Sequence, residues 1–154
     1  MRSGRFLVTN ADDESAVLRD VTDQQVLTLG DNPGVEAGDV VEATLRPEPP
    51  MEVTYEVIEI DDRWTVTVER SDEPPTRQER DLATEQSVGD LTRTERAGSG
   101  EIHVLTVPDD RTDEAVADVL DDEATVERAA RLGVERVEVR SADGVVSVRY
   151  MPGP

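Results

Sequence analysis

His103 is the only histidine in the chain, and histidine is the residue type best suited to acid–base catalysis near neutral pH. It lies in the run EIHVLTV, between Ile102 and Val104. In a strand it therefore faces away from these two residues, toward solvent or a second packing layer. No serine or cysteine occupies a nucleophile elbow near it in the sequence, and a catalytic triad requires one. We interpret His103 as a structural or surface residue, and we predict no catalytic residue.

Runs of acidic residues supply the oxygen ligands that Mg²⁺ and Ca²⁺ prefer. A calcium loop spaces its ligands around a glycine, whereas these acids are adjacent to one another in predicted turns. The chain also has no cysteine, no lysine and no glycine-rich phosphate loop. We therefore predict no metal, no cofactor and no enzymatic activity. The acidic runs are Asp12–Glu14, Asp61–Asp62, Asp109–Asp110 and Asp121–Glu123.

Arginine combined with aromatic rings is what binders of single-stranded nucleic acid use to contact the backbone and to stack the bases. The chain places Arg63 directly before Trp64, and Arg5 and Tyr55 lie in the same N-terminal region. These four residues are the candidate nucleic-acid site. A role for Trp64 in the hydrophobic core is the alternative. The net charge of −10 over residues 1–71 also opposes phosphate binding.

The 36 acidic residues outnumber the 16 basic ones, all of them arginine, and the net charge is −20. Such a charge is compatible with disorder, with a basic partner, or with a cytoplasm of molar salt. The regular alternation of apolar residues argues against disorder. Molar salt shortens the Debye length to about 3 Å, so a carboxylate-rich surface stays hydrated without strong self-repulsion. Since arginine pairs better with carboxylates than lysine does, the absence of lysine favours a halophilic protein.

The N-terminus lacks the apolar stretch of a signal peptide, and no run of residues reaches transmembrane length. We therefore expect a cytoplasmic protein without membrane contact.

Residues 1–71 are predicted to form a small β-barrel. Five or six short strands alternate apolar and polar residues and are separated by short turns, one of them at Asp61–Asp62. This strand number in a short segment favours a Greek-key barrel of the oligonucleotide-binding type, with an SH3-like barrel as the alternative. The predicted strands are GRFLVTN, SAVLRDV, QQVLTL, DVVEATLRPEPP, MEVTYEVIEI and RWTVTVER.

Residues 72–99 are rich in proline, serine, threonine and charge, which is typical of a linker, and one or two helical turns are expected within it. Its end is predicted to start a hairpin formed by DLTRTER and EIHVLTV around the turn AGSG.

Residues 100–154 are predicted to form a βαββ domain. Thr112 is expected to cap the helical part, Asp122 to cap a second helix after a break, and Gly133 to end it. The last two strands are expected to pair through the valines of VERVEV and VVSVRYM.

The predicted fold class is α+β, mostly β. One face of the C-terminal sheet is left open by the helices and must be buried against the barrel, another chain or a partner. The leading hypothesis is a non-catalytic binding or adaptor protein that acts through protein–protein contacts, with an unknown partner or as a homo-oligomer. Binding of RNA or single-stranded DNA by the barrel is the alternative.

The sequence resembles a small family of uncharacterised two-domain proteins from haloarchaea. The resemblance is carried by GRFLVTNADDESAVLRDV, EPPMEVTYEV and LGVERVEVRSADGVVSVRYMP. It implies an archaeal origin, and it supplies neither an activity nor functional residues.

Overall fold

Strands dominate residues 1–96 and 100–152, which are the residues that the computed structural model describes. The strands are β1 (Arg2–Ala11), β2 (Ala16–Asp20), β3 (Val26–Leu29), β4 (Asp39–Pro47), β5 (Tyr55–Thr65), β6 (Thr67–Arg70), β7 (Leu91–Glu95), β8 (Glu101–Thr106), β9 (Arg136–Ala142) and β10 (Val145–Met151). The helices are α1 (Arg77–Glu85), α2 (Thr112–Asp121) and α3 (Glu123–Leu132), and a short 3₁₀ turn, Asp109–Arg111, precedes α2. The expected α+β class, mostly β, is confirmed.

The chain divides into two units, Met1–Val66 and Thr67–Pro154. The first contains β1 to β5 and the second contains every later element. β6, expected as the last strand of the first domain, pairs in parallel with β9 in the second unit. The sequence predicts a linker over residues 72–99, but the described part of that stretch contains α1 and β7.

The five strands of the first unit close into a ring in the order β1-β2-β3-β5-β4, with β4 returning to pair with β1. All neighbours are antiparallel except β3 and β5, which are parallel and share the single pair Leu29 and Tyr55. Alternation along the strands turns every second side chain inward. The buried core consists of Phe6, Val8, Ala16, Leu18, Leu27, Leu29, Val35, Val41, Ala43 and Leu45.

The predicted turn at Asp61–Asp62 is wrong, because β5 runs through both residues to Thr65. The register of β5 against β4 shifts twice, which leaves Ile58 and Asp61 without a partner residue on β4. The bulge at Asp61 lets β5 continue past the two acidic residues. Two successive acidic residues therefore do not mark a turn where a neighbouring strand offers backbone hydrogen bonds, as β4 does here.

The second unit is a five-stranded sheet in the order β6-β9-β10-β8-β7. The predicted βαββ order is present as β8, α2 and α3, β9 and β10, and the sheet is extended by β6 and β7. β7 and β8 pair as antiparallel strands, and the expected turn between them falls largely on residues 97–99, outside the described residues. Val139 pairs with Val148, as expected, whereas Val137 pairs with Tyr150.

The helix ends follow capping rules, with one exception. The Asp122 side chain accepts from the Ala124 N–H at the start of α3, and Gly133 ends that helix with a φ of 75°, both as predicted. Thr112 does not cap α2: it is the first helical residue, and its hydroxyl donates to the Asp109 carbonyl and accepts from the Gly144 N–H. Thr112 therefore joins the helix start to the β9–β10 turn.

None of the helices in the described part of the chain has the length and apolar character needed to cross a bilayer.

Replacing Leu45 by Ala should lower the free energy of unfolding of the first unit by about 2–5 kcal/mol, because Leu45 is fully buried in the ring core. The matched change Val26→Ala, at a side chain that is 55% exposed, should cost about 1 kcal/mol or less. Urea denaturation followed by Trp64 fluorescence measures both, since Trp64 is the only tryptophan and lies in this unit. Equal losses for the two variants would contradict the described core.

Candidate functional site

The structure brings two of the four predicted site residues together on the outer surface of the ring. The guanidinium carbon of Arg5, on β1, lies 5.5 Å from the centroid of the Trp64 ring, on β5. β4 separates the two strands and places Val40 opposite Trp64 and Glu42 opposite Arg5. A guanidinium at this distance from an indole makes a cation–π contact.

The positive charge of Arg5 is already engaged by a carboxylate. Its Nε and Nη2 donate to Glu42 Oε1 at 3.3 and 3.1 Å. Trp64 is partly buried, and its indole N–H is enclosed without an acceptor in the described residues. Arg5 and Trp64 thus have the geometry on which a base could stack, but Glu42 offsets the positive charge of Arg5.

Arg63 serves a different purpose from its neighbour Trp64. Its Nη2 donates to Asp39 Oδ2 at 2.9 Å and to the Gly34 carbonyl at 2.7 Å. Burial by itself raises the pKa of Asp39, but hydrogen bonds from Thr65 and Glu36, together with the Arg63 charge, lower that pKa below its ordinary value. Arg63, on β5, therefore holds the loop that precedes β4 through hydrogen bonds to Gly34 and Asp39.

Tyr55 does not join the other predicted site residues. It begins β5, pairs with Leu29, and packs partly buried against the ring core. Trp64 lies near the opposite end of the same strand, so the four residues do not form one surface.

The second edge of β5 is a feature that the sequence analysis missed. One edge of the strand pairs with β4 along its whole length, from Tyr55 to Thr65. The other edge is held at Tyr55, which pairs with Leu29 and accepts from the Gly30 N–H at 3.1 Å. Beyond Tyr55 no backbone hydrogen bond joins this edge to a described residue. The ring is therefore closed between β3 and β5 only at the Leu29–Tyr55 pair, and this edge of β5 is unpaired beyond that point.

The side chains of this open strand are both apolar and acidic. Ile58 and Ile60 are 45% and 37% exposed. Glu59, Asp61 and Asp62 are exposed on the same strand, and no arginine among the described residues forms an ion pair with them. We call the free edge of β5 with these five residues the β5 edge. The sequence signal for it is the acid–apolar alternation of EVIEIDD, within which a turn was predicted at Asp61–Asp62.

His103 is a packed residue of the second unit. Its Nε2 lies 2.8 Å from Glu101 Oε1, which also accepts from Arg128 Nη2 at 2.7 Å, and its ring centroid lies 4.9 Å from that of Tyr150. Burial lowers the pKa of His103 by more than the hydrogen bond to Glu101 raises it. The contacts with Glu101 and Tyr150 hold the imidazole in place within the second unit.

The acidic side chains are mostly exposed and scattered over both units. Four are buried: Asp20, Asp39, Glu79 and Glu138. Each of these has an arginine nitrogen within 4 Å: Arg2 for Asp20, Arg63 for Asp39, Arg149 for Glu79, and both Arg136 and Arg140 for Glu138. No group of three or more histidine, aspartate or glutamate residues in the described part of the chain is arranged to hold a metal ion.

A sequence model of the family of unknown function DUF5812 matches residues 2–141. The chain belongs to this family. No curated protein and no solved structure matches the DUF5812 chain.

The chain should lose stability as the pH falls below the unfolded histidine pKa of 6.5, because burial lowers the pKa of His103 in the folded protein. The folded state binds fewer protons in this range, so stability is present above the unfolded pKa and is lost as the pH falls through the folded one. His103→Gln should flatten this part of the curve. Melting temperatures of both proteins across the range measure the effect, and identical slopes would contradict it.

Proposed function

We propose that this protein is a non-catalytic binding module that recognises an extended, basic segment of a partner protein along the β5 edge. The observation that supports it is a long strand with one unpaired edge, exposed isoleucines and unpaired acids. Addition of a strand to such an edge satisfies its free N–H and C=O groups. Ile58 and Ile60 then cover apolar side chains of the added segment.

The charges of the β5 edge favour a basic partner over a second copy of this chain. Two such edges side by side would place Glu59, Asp61 and Asp62 against identical carboxylates, which is unfavourable. Arginine or lysine residues of an added strand instead form cross-strand ion pairs with these acids. Ion pairs that the added strand partly buries are screened by concentrated salt much less than longer-range attraction is.

Binding of RNA or single-stranded DNA is the second candidate, and the Arg5–Trp64 contact is the observation that favours it. Against it, Glu42 offsets the charge of Arg5 and Asp39 that of Arg63. The exposed acids of β5 lie on the strand that carries Trp64, and they repel phosphates. The protein-binding function is therefore the stronger proposal.

The ring is proposed to be a barrel of the oligonucleotide-binding type. Strands β1 to β3 are connected in sequence, and β4 returns by a longer loop to lie beside β1, which is the Greek-key arrangement. Five strands in Greek-key order, closed incompletely, are typical of this barrel class. The opening between β3 and β5 in this chain is the feature that a partner strand would fill.

A cytoplasm of molar salt, as in haloarchaea, is proposed as the setting of the protein. The acidic surplus covers the surface of both units, and all 16 basic residues are arginine. Buried carboxylates are paired with arginine, and the exposed ones remain hydrated. This distribution suits a protein whose surface repulsion is screened by salt.

A labelled peptide of about ten residues that alternates arginine and valine tests the β5 edge, because it has the length of a typical strand. Fluorescence anisotropy in about 2 M KCl should show saturable binding by the full chain, since ion pairs that the bound peptide partly buries are screened much less than exposed ones. Glu59→Arg combined with Asp61→Arg should weaken binding about tenfold or more, because like charges then face each other.

The matched control replaces two exposed acids in the turn between β1 and β2, Asp13→Arg and Glu14→Arg, and should bind within about twofold of wild type. A peptide with glutamate in place of arginine should not bind. Equal weakening by both double variants would reject the β5 edge. Binding of a single-stranded oligonucleotide with quenching of Trp64, and none of the peptide, would support the second candidate instead.

Lowering the KCl concentration from about 2 M to about 0.1 M lengthens the Debye length from under 3 Å to about 10 Å and should lower the melting temperature. Replacing the exposed acids Asp118 and Glu123 by Asn and Gln should lessen this dependence, because fewer charges then repel each other. Circular dichroism melts at each concentration measure it. A melting temperature independent of KCl would contradict adaptation to salt.

A further inference from the structure

A cavity of about 300 Å³ lies between α1 and the β7–β8–β10 part of the sheet in the second unit. Ile102 and Leu82 supply apolar walls, and Thr94 supplies a hydroxyl. The register aligns Arg149 with Ile102, and Ile102 with Thr94, so these three residues share one sheet face. A volume of this size suits a small organic molecule.

Arg149 lines this cavity and lacks hydrogen-bond acceptors. Its side chain is only 15% exposed, and its Nε is buried without a partner. No described residue accepts a hydrogen bond from its guanidinium, and the nearest carboxylate oxygen, Glu79 Oε1, is 3.8 Å from Nη1. Burying a guanidinium without hydrogen-bond acceptors lowers the stability of the fold, so the lack of a partner for Arg149 requires an explanation.

Arg140 lies on the same sheet face and is an equally buried arginine that does have carboxylate partners. Its side chain is 16% exposed, which matches Arg149. It pairs with Glu73 at 2.8 Å and with Glu138 at 2.5 Å. Arg140 thus has two carboxylates within hydrogen-bond distance, whereas Arg149, which is equally buried, has none.

Glu79 does not accept a hydrogen bond from Arg149, because both of its carboxylate oxygens accept from other groups. Oε1 accepts from the Thr76 N–H at 3.1 Å, which completes the capping box of α1, and Oε2 accepts from the Ser147 hydroxyl at 3.0 Å. The carboxylate is buried and fixed beside Arg149. Its negative charge favours a ligand with one negative charge over one with two.

We propose that this cavity binds a small organic monocarboxylate. The ligand carboxylate accepts from the terminal nitrogens of Arg149, and its apolar body lies against Leu82 and Ile102. A guanidinium and a carboxylate form paired, charge-assisted hydrogen bonds, and these supply the acceptors that Arg149 lacks. This site lies in the second unit, and its existence does not depend on the β5 edge.

Hexanoate is a suitable probe, and amide shifts of Thr94 and Ile102 in NMR spectra of the full chain report its binding. Arg149→Lys keeps the charge but removes the paired donors, and it should weaken binding about tenfold. Arg136→Lys, at an arginine paired with Glu138 and outside the cavity lining, should bind within about twofold of wild type.

Glu79→Gln tests the proposal without removing the arginine. Glutamine preserves the capping box and removes the neighbouring negative charge, so hexanoate affinity should rise about threefold. No saturable shifts at Thr94 and Ile102, unchanged affinity in both cavity variants, or equal affinity for inorganic phosphate and hexanoate would each overturn the proposal.

Discussion

The surplus of twenty negative charges is the constraint on which the rest of this structure depends. A chain with only 16 basic residues cannot pair most of its carboxylates, so it must expose them or give the buried ones an arginine. The structure does both: most acids lie on the surface, and each of the four buried ones has an arginine nitrogen within 4 Å. Two groups depart from this pattern. The acids of the β5 edge form no ion pair with a described arginine, and Arg149, although it lies near Glu79, has no hydrogen-bond acceptor among the described residues. We propose that each of them takes a partner from outside the chain.

Much of the fold could be predicted because apolar alternation determines which residues enter a sheet. The strands through residue 60, the Asp122 cap, the Gly133 helix end and the β9–β10 hairpin all follow from local patterns. The errors arose where partners distant in sequence decide the outcome. Asp61 and Asp62 continue a strand because β4 lies beside it, and β6 changes sheets because β9 offers an edge. The start of α1 was predictable from sequence, because Thr76 and Glu79 have the spacing of a capping box. The surrounding prolines and charges nevertheless favoured a linker.

The candidate site was predictable only in part, because residue type does not reveal which charges are already satisfied. Arg5 and Trp64 do meet, although they lie on different strands, but no local pattern indicated that Arg5 would also donate hydrogen bonds to Glu42. Arg63 adjoins Trp64 in sequence, yet it binds Asp39 and the Gly34 carbonyl. The β5 edge could not be inferred without knowing that β3 ends where β5 begins, since a free edge is a property of the sheet and not of a strand.

The central proposal is that a strand from another protein pairs with the free edge of β5. Amide hydrogen exchange along residues 56–65, measured with and without the arginine–valine peptide, tests it most directly. We expect alternate amides of β5 to exchange rapidly in the free protein and to become protected when the peptide binds, while the amides bonded to β4 are protected throughout. Binding without new protection in β5, or with new protection confined to β1 and β4, would contradict it.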